Sequence, residues 1–297
     1  MAALEAQDLV ITYRTGWRGA SRSAVRGLTF QVNEGEVVGF IGPNGAGKSS
    51  TIKALMGFVQ PASGTARLLG EPAGSAGARR QVGFLPEVAL YYPWLTALET
   101  LYLYGRLAGL DAPATRRQSY ELLDRVGLKG REKERLKGFS KGMLQRVGIA
   151  QALLGNPRLL ILDEVSSGLD PLGRRDLRNL MLAEKQKGVT IFFSSHELTE
   201  VAQLCDRVIL LNQGRVLDER PVAALRQELR RYWLRFRHTG EPPIPATQVD
   251  DAWEADFPDP HSWRRALDAL QPPAAELLDA GEREGALEDY FVRMVAA

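Results

Sequence analysis

Gly42-Pro43-Asn44-Gly45-Ala46-Gly47-Lys48-Ser49 is the stretch on which the fold turns. Its spacing, G-x-x-x-x-G-K-[ST], is that of a phosphate-binding loop, and its flanks suit one. An apolar, β-prone segment, Val37-Val38-Gly39-Phe40-Ile41, leads in, and a helix-like run from Ser50 to Met56 leads out. The glycines permit a turn in which several N–H groups converge on phosphate oxygens, at the positive end of the following helix. In that arrangement Lys48 reaches the β- and γ-phosphates and the Ser49 hydroxyl ligates Mg²⁺. Alone, the octet is also compatible with a plain glycine-rich turn, so its surroundings have to decide.

The expected partner lies 115 residues beyond Lys48, in Leu159-Leu160-Ile161-Leu162-Asp163-Glu164. This is an apolar strand ending in two carboxylates. Parallel strands present ligand-binding residues at their carboxyl ends, so Asp163 is placed to meet the Mg²⁺ held by Ser49. Glu164, one residue on, is placed to orient or deprotonate an attacking water. The competing reading is a strand cap with two solvated acids.

Bulk composition excludes several classes. With 297 residues, 44% hydrophobic and 25% charged, the chain reads as a soluble globular protein of one or two domains. A net charge of +2 gives no case for nucleic-acid binding, and none is expected. The single cysteine, Cys205, excludes an intrachain disulfide framework and fits a reducing compartment. No signal peptide is expected, and no apolar stretch reaches the length of a membrane span. Charge is uneven: residues 215–237 hold seven arginines and three acids, and residues 241–297 hold thirteen acids and four arginines. That asymmetry fits either a regulatory, partner-binding tail or a small acidic subdomain beside a basic strip.

Read in order, residues 4–13 suggest an edge strand, 14–23 a polar loop, and 24–32 a second strand. Short strands follow at 65–69 and 81–85, and helical periodicity runs from 96 to about 136, broken at 109–113. Strand and helix then alternate: helix 142–154, strand 158–163, helix 172–187, strand 189–194, helix 196–204, strands 208–212 and 215–217. Alternation of this kind predicts an α/β fold with a mainly parallel sheet covered on both faces, antiparallel β elements at the N-terminus, and a helical insertion. Beyond Arg220 the spacing predicts helix at 222–231, strand at 232–237, a linker at 242–245, and helices at 261–270 and 286–295. These form a small appended α/β extension.

With these motifs in view, the chain resembles the nucleotide-binding subunit of an ATP-binding-cassette (ABC) transporter over roughly residues 4–220. Phe139-Ser140-Lys141-Gly142-Met143-Leu144-Gln145-Arg146 is similar to the family signature, usually L-S-G-G-Q followed by x-Q-R. Ser167-Gly168-Leu169-Asp170 matches the D-loop, Ser194-Ser195-His196 the switch histidine, and Tyr13 the aromatic that stacks on adenine. The resemblance implies a P-loop NTPase core at 1–220, with a helical subdomain at about 88–157 and an accessory extension at 221–297. It further implies an Mg-dependent ATPase in which residues 42–50, Ser50 included, bind ATP. Ser49, Asp163 and Glu87 attend the metal; Lys48, Glu87, Glu164 and His196 carry catalysis. Two such domains pair head to tail, so that Ser140, Lys141 and Gly142 of one copy, with Asp170 nearby, close on the nucleotide of the other. Ser140 is expected to cap the signature helix and aim its hydroxyl at the γ-phosphate.

Three departures stand out. Glu87 replaces the usual glutamine, Met143 the signature glutamine, and Val165-Ser166 the usual Pro-Thr. The first, with the Ser-Lys-Gly-Met signature, resembles a subset of bacterial ABC-2-type export-associated ATPases. Tyr91-Tyr92-Pro93-Trp94-Leu95, continuing to Tyr102, is the most aromatic stretch. In the resembling transporters this region receives a cytoplasmic helix of an integral membrane permease. The expectation is an ATPase subunit, paired with a second copy or a paralogue, sitting on the cytoplasmic face of the membrane through that permease and working as an exporter. A soluble ABC ATPase acting on ribosomes or DNA, and a non-hydrolysing ATP-binding regulatory subunit, remain open alternatives.

Overall fold

Alternating apolar residues near the N-terminus build an antiparallel ribbon that roofs a parallel sheet. The computed structural model describes residues 1–15, 20–283 and 287–296. Strand β1 (Ala2–Thr15) directs Leu4, Ala6, Leu9 and Ile11 into one core. Asp8, at φ 49°, sits where the register shifts, and this bulge resets the alternation so that both pairs of side chains share a face. Strand β2 (Ala20–Asn33) pairs with β1 on one side. After β3 (Val37–Ile41), helix α1 (Lys48–Leu55) returns the chain to β4 (Ser63–Leu68), which pairs with β1 on its other side. With β5 (Glu71–Pro72) the order is β2-β1-β4-β5. Residues 4–13 are therefore an interior strand and not an edge. The expected loop at 14–23 shrinks because β1 and β2 extend into it; residues 16–19 of that expectation lie outside the described residues.

The second sheet holds the chemistry. A short helix, α2 (Ala76–Gln81), unanticipated from sequence, precedes β6 (Val82–Leu85). Three helices follow: α3 (Ala97–Leu107), α4 (Ala112–Arg125) and α5 (Lys141–Ala152). Thr96 and Glu99 form a reciprocal capping box at the start of α3, and Asp111 caps α4. Helix does not persist to Leu136, as periodicity suggested. It stops at Arg125, because Gly127 and Gly130 take left-handed φ of 73° and 84° and turn the chain out.

Then come β7 (Leu159–Asp163), α6 (Pro171–Gln186), β8 (Thr190–Ser195), α7 (Leu198–Leu204), β9 (Arg207–Asn212) and β10 (Arg215–Pro221). The sheet order is β10-β9-β3-β8-β7-β6, and the pairs β9–β3, β3–β8, β8–β7 and β7–β6 are all parallel. Every residue of β3, β7 and β8 is buried, as expected of strands covered on both faces. Phe30 of the ribbon meets Phe40 and Phe192 of the parallel sheet at centroid distances of 5.4 and 5.6 Å. Burying each such ring contributes about 1.5–3 kcal/mol, which locks ribbon to sheet. The register Asp163↔Ser194 and Ile41↔Ser195 brings the carboxyl ends of β3, β7 and β8 level.

The chain divides into two compact units, Met1–Arg220 and Pro221–Ala297. The second contains α8 (Val222–Leu229), β11 (Arg231–His238), β12 (Thr247–Val249), β13 (Ala252–Phe257), α9 (Pro260–Ala269), β14 (Ala275–Arg283) and α10 (Leu287–Ala296). Three of its four strands escaped the sequence reading, which found only β11. Its sheet, β12-β13-β11-β14, buries Tyr232, Leu234, Phe236, Ala255 and Phe257 against α9. The alternate residues of β11 face the acids of its neighbours: Arg235 meets Glu254 at 3.7 Å, and Arg237 meets Asp251 at 2.5 Å and Glu276 at 3.6 Å. Basic strip and acidic segment are thus partners within one sheet. Among the described residues, no helix is long and apolar enough to cross a membrane.

Candidate nucleotide site

A cleft of about 840 Å³ opens at the level carboxyl ends of the parallel strands. Its floor is the phosphate loop. Gly47 has φ 113°, and a Cβ there would lie 2.7 Å from the Ala24 carbonyl oxygen, so only glycine fits. Helix α1 begins immediately after it, with no side-chain cap and no acid in its first turn. Its first N–H groups are therefore available to an anion, and the helix dipole favours one.

Lys48 is 5% exposed, and its Nζ donates to the Gly42 carbonyl at 2.7 Å. The same ammonium lies 3.4 Å from Glu164 Oε1. The Ser49 hydroxyl donates to Asp163 Oδ1 at 3.2 Å, and the Ser194 hydroxyl donates to the same oxygen at 2.6 Å. Glu164 Oε2 shares a 2.6 Å hydrogen bond with His196 Nδ1, and the Glu164 N–H donates to Ser194 Oγ at 2.9 Å. Glu164 also sits at φ 49°, a left-handed conformation that costs a non-glycine residue about 1–3 kcal/mol. Such a conformation persists only where surrounding bonds over-determine it, and here three partners do so. Lys48, Asp163 and Glu164 are each buried; Lys48 and Glu164 pair with each other, and Asp163 accepts two hydroxyl hydrogen bonds, so none of these buried charges lacks a polar partner.

Ser49 and Asp163 offer a hydroxyl and a carboxylate oxygen side by side, with Glu87 also lining the cleft. This sparse, all-oxygen set fits a small hard cation such as Mg²⁺, which keeps waters and takes its other ligands from phosphates. It does not resemble the nitrogen- and sulfur-rich sets of zinc. Tyr13 stands on one wall and donates its hydroxyl to Ser50 Oγ at 3.2 Å, which ties the ring to the start of α1.

Comparison with known proteins agrees with this geometry. Residues 25–167 match the family described as ABC transporter. An uncharacterized ABC transporter ATP-binding protein of Synechocystis is 37% identical over 98% of this chain and 84% of its own. The bacitracin transport ATP-binding protein of Bacillus licheniformis is 40% identical over 93% of each chain. The chain belongs to the ABC transporter ATP-binding proteins. A solved ATP-binding subunit of an ABC transporter superposes on it with a TM-score of 0.68 at 35% identity, over 76% of this chain and 92% of that one. The protein therefore has the P-loop ABC ATPase fold, binds ATP and hydrolyses it.

Within this ABC ATPase the expected residues separate into groups. Tyr13, Asn44, Gly45, Ala46, Gly47, Lys48, Ser49, Ser50, Glu87, Glu164 and His196 line the cleft. Gly42 and Pro43 turn their carbonyls toward Lys48, and Asp163 lies buried behind Ser49. His196 does not open a helix, as 196–204 suggested: α7 starts at Leu198 with Glu197 as its cap. The signature residues do not line the cleft of their own chain. Ser140 caps α5 by accepting from the Met143 N–H at 3.3 Å, and Lys141 Nζ donates to Ser167 Oγ at 3.3 Å. Gly142 lies close to the Gly168 carbonyl, and Asp170 caps α6 by accepting from the Gly173 N–H at 2.8 Å.

In the aromatic stretch the adjacent tyrosines part company. Tyr91 turns inward, edge-on to Tyr104 and with its hydroxyl 3.4 Å from Gln151, and burial pushes its phenol up. Tyr92 and Trp94 turn outward, their rings 5.2 Å apart and tilted by 35°, and are 53% and 63% exposed. Sequence reasoning missed Arg22, Arg26 and Gln213, which also line the cleft, and the bonding role of Ser194. For Arg22 a signal existed in principle: a residue opposite Tyr13 in a hairpin shares its face.

Proposed function

We propose that this chain binds Mg-ATP in the 840 Å³ cleft and hydrolyses it as half of a two-copy site, and that closure and reopening of the pair drive a separate membrane permease. The observation that carries this reading is the three-way hold on Glu164, by Lys48, His196 and Ser194, beside the Ser49–Asp163 pair. In it, Tyr13 stacks on the base, and residues 42–50 enclose the phosphates. Ser49 and Asp163 hold Mg²⁺, with Glu87 beside them; when bound, the ion neutralises phosphate charge and orients the terminal group. Glu164 orients a water and accepts its proton. The water oxygen bonds to the γ-phosphorus as the bond to the bridging oxygen breaks, releasing ADP and phosphate. His196 keeps the Glu164 carboxylate aimed, and Lys48 balances the charge that builds on the phosphates.

Ser140, Lys141 and Gly142 are not among the residues that line their own cleft, which supports their use in the partner copy, with Asp170 at the junction. The exposed Tyr92–Trp94 pair, flanked by Val88 (67% exposed) and Leu90 (87% exposed), supports a permease surface within 91–102 and just before it. Apolar side chains this exposed mark interaction sites. Residues 1–220, with their helical part at about 88–157, act as the catalytic cassette, and 221–297 as an accessory element. The subunit sits on the cytoplasmic face through its permease, and a Nod factor export ATP-binding protein of Burkholderia lata, 36% identical over 71% of each chain, supports export.

The direct test is to trap the pair. Glu164→Gln with ATP is expected to elute as a dimer in size-exclusion chromatography with light scattering, and to return to monomer without ATP. A Glu164→Gln protein that binds ATP yet stays monomeric would overturn the two-copy site.

A further inference from the structure

Ser194 belongs to no nucleotide contact in the reading above, yet it is fully buried and its hydroxyl joins both consecutive carboxylates. It accepts the N–H of Glu164 at 2.9 Å and donates to Asp163 Oδ1 at 2.6 Å. The parallel register makes this possible, since Asp163 and Ser194 stand opposite each other on β7 and β8. Two residues further on, just past the end of β8, His196 holds the other end of Glu164 at Oε2. The end of β8 and the residue that follows it thus grip Glu164 at its backbone through Ser194 and at its carboxylate through His196. We infer that Ser194 is a positioning residue that sets the metal-facing carboxylate and the water-facing carboxylate as one unit.

Two features make this more than packing. First, Glu164 has a left-handed φ of 49°, which an L-residue holds only under constraint, and the Ser194 bond falls on that residue's own N–H. Second, Asp163 Oδ1 accepts from both Ser194 and Ser49. Fixing one carboxylate oxygen with two hydroxyls fixes the direction of the other, the oxygen available to a metal's hydration shell. Partners behind metal ligands typically change metal affinity or activity 10- to 100-fold when removed. The consequence is that Asp163 and Glu164 move with the end of β8, so displacement of His196 also disturbs the Mg²⁺ side of the site.

This inference rests on the Mg-ATP reading, and its test separates the two. ATP binding to the full chain is titrated calorimetrically with Mg²⁺ and with EDTA, and turnover is measured alongside, for the natural protein and for Ser194→Ala, Ser194→Cys and Ser194→Thr. Ser194→Ala is expected to keep its affinity for ATP in EDTA, to lose about tenfold of the gain in affinity that Mg²⁺ gives, and to turn over 10- to 100-fold more slowly. Ser194→Thr, which keeps the hydroxyl, should stay within about threefold of the natural protein on both counts, and Ser194→Cys, matched in size but a weak donor, should resemble Ser194→Ala. Natural Mg²⁺ gain and turnover in Ser194→Ala or Ser194→Cys, or a Ser194→Thr as impaired as Ser194→Ala, would overturn the positioning role. If the natural protein itself shows no gain with Mg²⁺, the metal reading fails instead.

Discussion

Two regions of the first unit place side chains against their ordinary preference, in opposite directions. Around the phosphate loop, charged groups are buried: Lys48, Asp163 and Glu164 are at most 8% exposed. Between Val88 and Leu107, apolar groups are exposed: Leu90, Trp94 and Leu107 are at least 63% exposed. The first region resolves its cost internally, with hydrogen bonds and ion pairs for the buried groups. The second leaves its cost open, since exposed apolar surface gains only when something covers it. In the function proposed above, the first region is where chemistry is done and the second is where the permease sits.

The comparison breaks first, and most visibly, at Lys48. Lys48→Ala leaves Glu164 without its cation and the phosphates without theirs. Turnover should fall about 10²- to 10³-fold, as when one preorganised stabilising group is removed, and a coupled-enzyme ATPase assay reads it directly. Retention of most activity would mean that the buried charges are structural.

A control of intermediate size comes from a buried charge outside the cleft. Glu184 is buried in α6, which disfavours its charge, but hydrogen bonds from Lys187, at 2.9 Å, and from Arg125 outweigh this and hold its carboxyl below the ordinary glutamate range. Because the native value is lowered, the stabilisation is complete above the ordinary glutamate value and is lost as pH falls through the native one. Glu184→Gln should therefore cost about 1–3 kcal/mol near neutrality. The difference in Tm from the natural protein should close on acidification below that range, which thermal melts across pH would record. A gap that widens on acidification would contradict the sign.

The smallest expected effect on the fold lies in the second region. Leu90→Ser or Trp94→Ser should shift stability by no more than about 0.5 kcal/mol, since little burial is lost. Denaturant melts would show it. If the proposed permease surface is right, the same changes should reduce co-purification of a membrane protein with this chain from detergent extracts, and a large stability loss would mean that these side chains are core.

Much of this contrast is visible in sequence, but unevenly. The loop at 42–49 and the Asp163-Glu164 pair are legible because a local pattern specifies a local shape, and the alternation of strand and helix orders them on one sheet. The bonds that fix Glu164 are not legible. They join residues 30 and 32 positions apart through the register of two parallel strands, which no local pattern encodes. The interior position of β1 is hidden for the same reason, because its second partner, β4, arrives only after α1. In the second unit, β13 and β14 were missed because Ala-Trp-Glu-Ala-Asp-Phe and Ala-Glu-Leu-Leu-Asp-Ala-Gly-Glu-Arg carry few β-branched residues. Cross-strand ion pairs with β11, and one between Arg283 of β14 and Asp256 of β13, help to hold them where intrinsic preference is weak.

The central claim is that Glu164, strained and held on three sides, is the group that activates water. Its most direct test is ATP binding and steady-state turnover measured on the same preparations of natural protein and Glu164→Gln, with Mg²⁺ present. The account predicts undiminished ATP binding and turnover reduced at least 100-fold, as for loss of a positioned general base. Turnover within a few-fold of the natural protein, with binding intact, would contradict it.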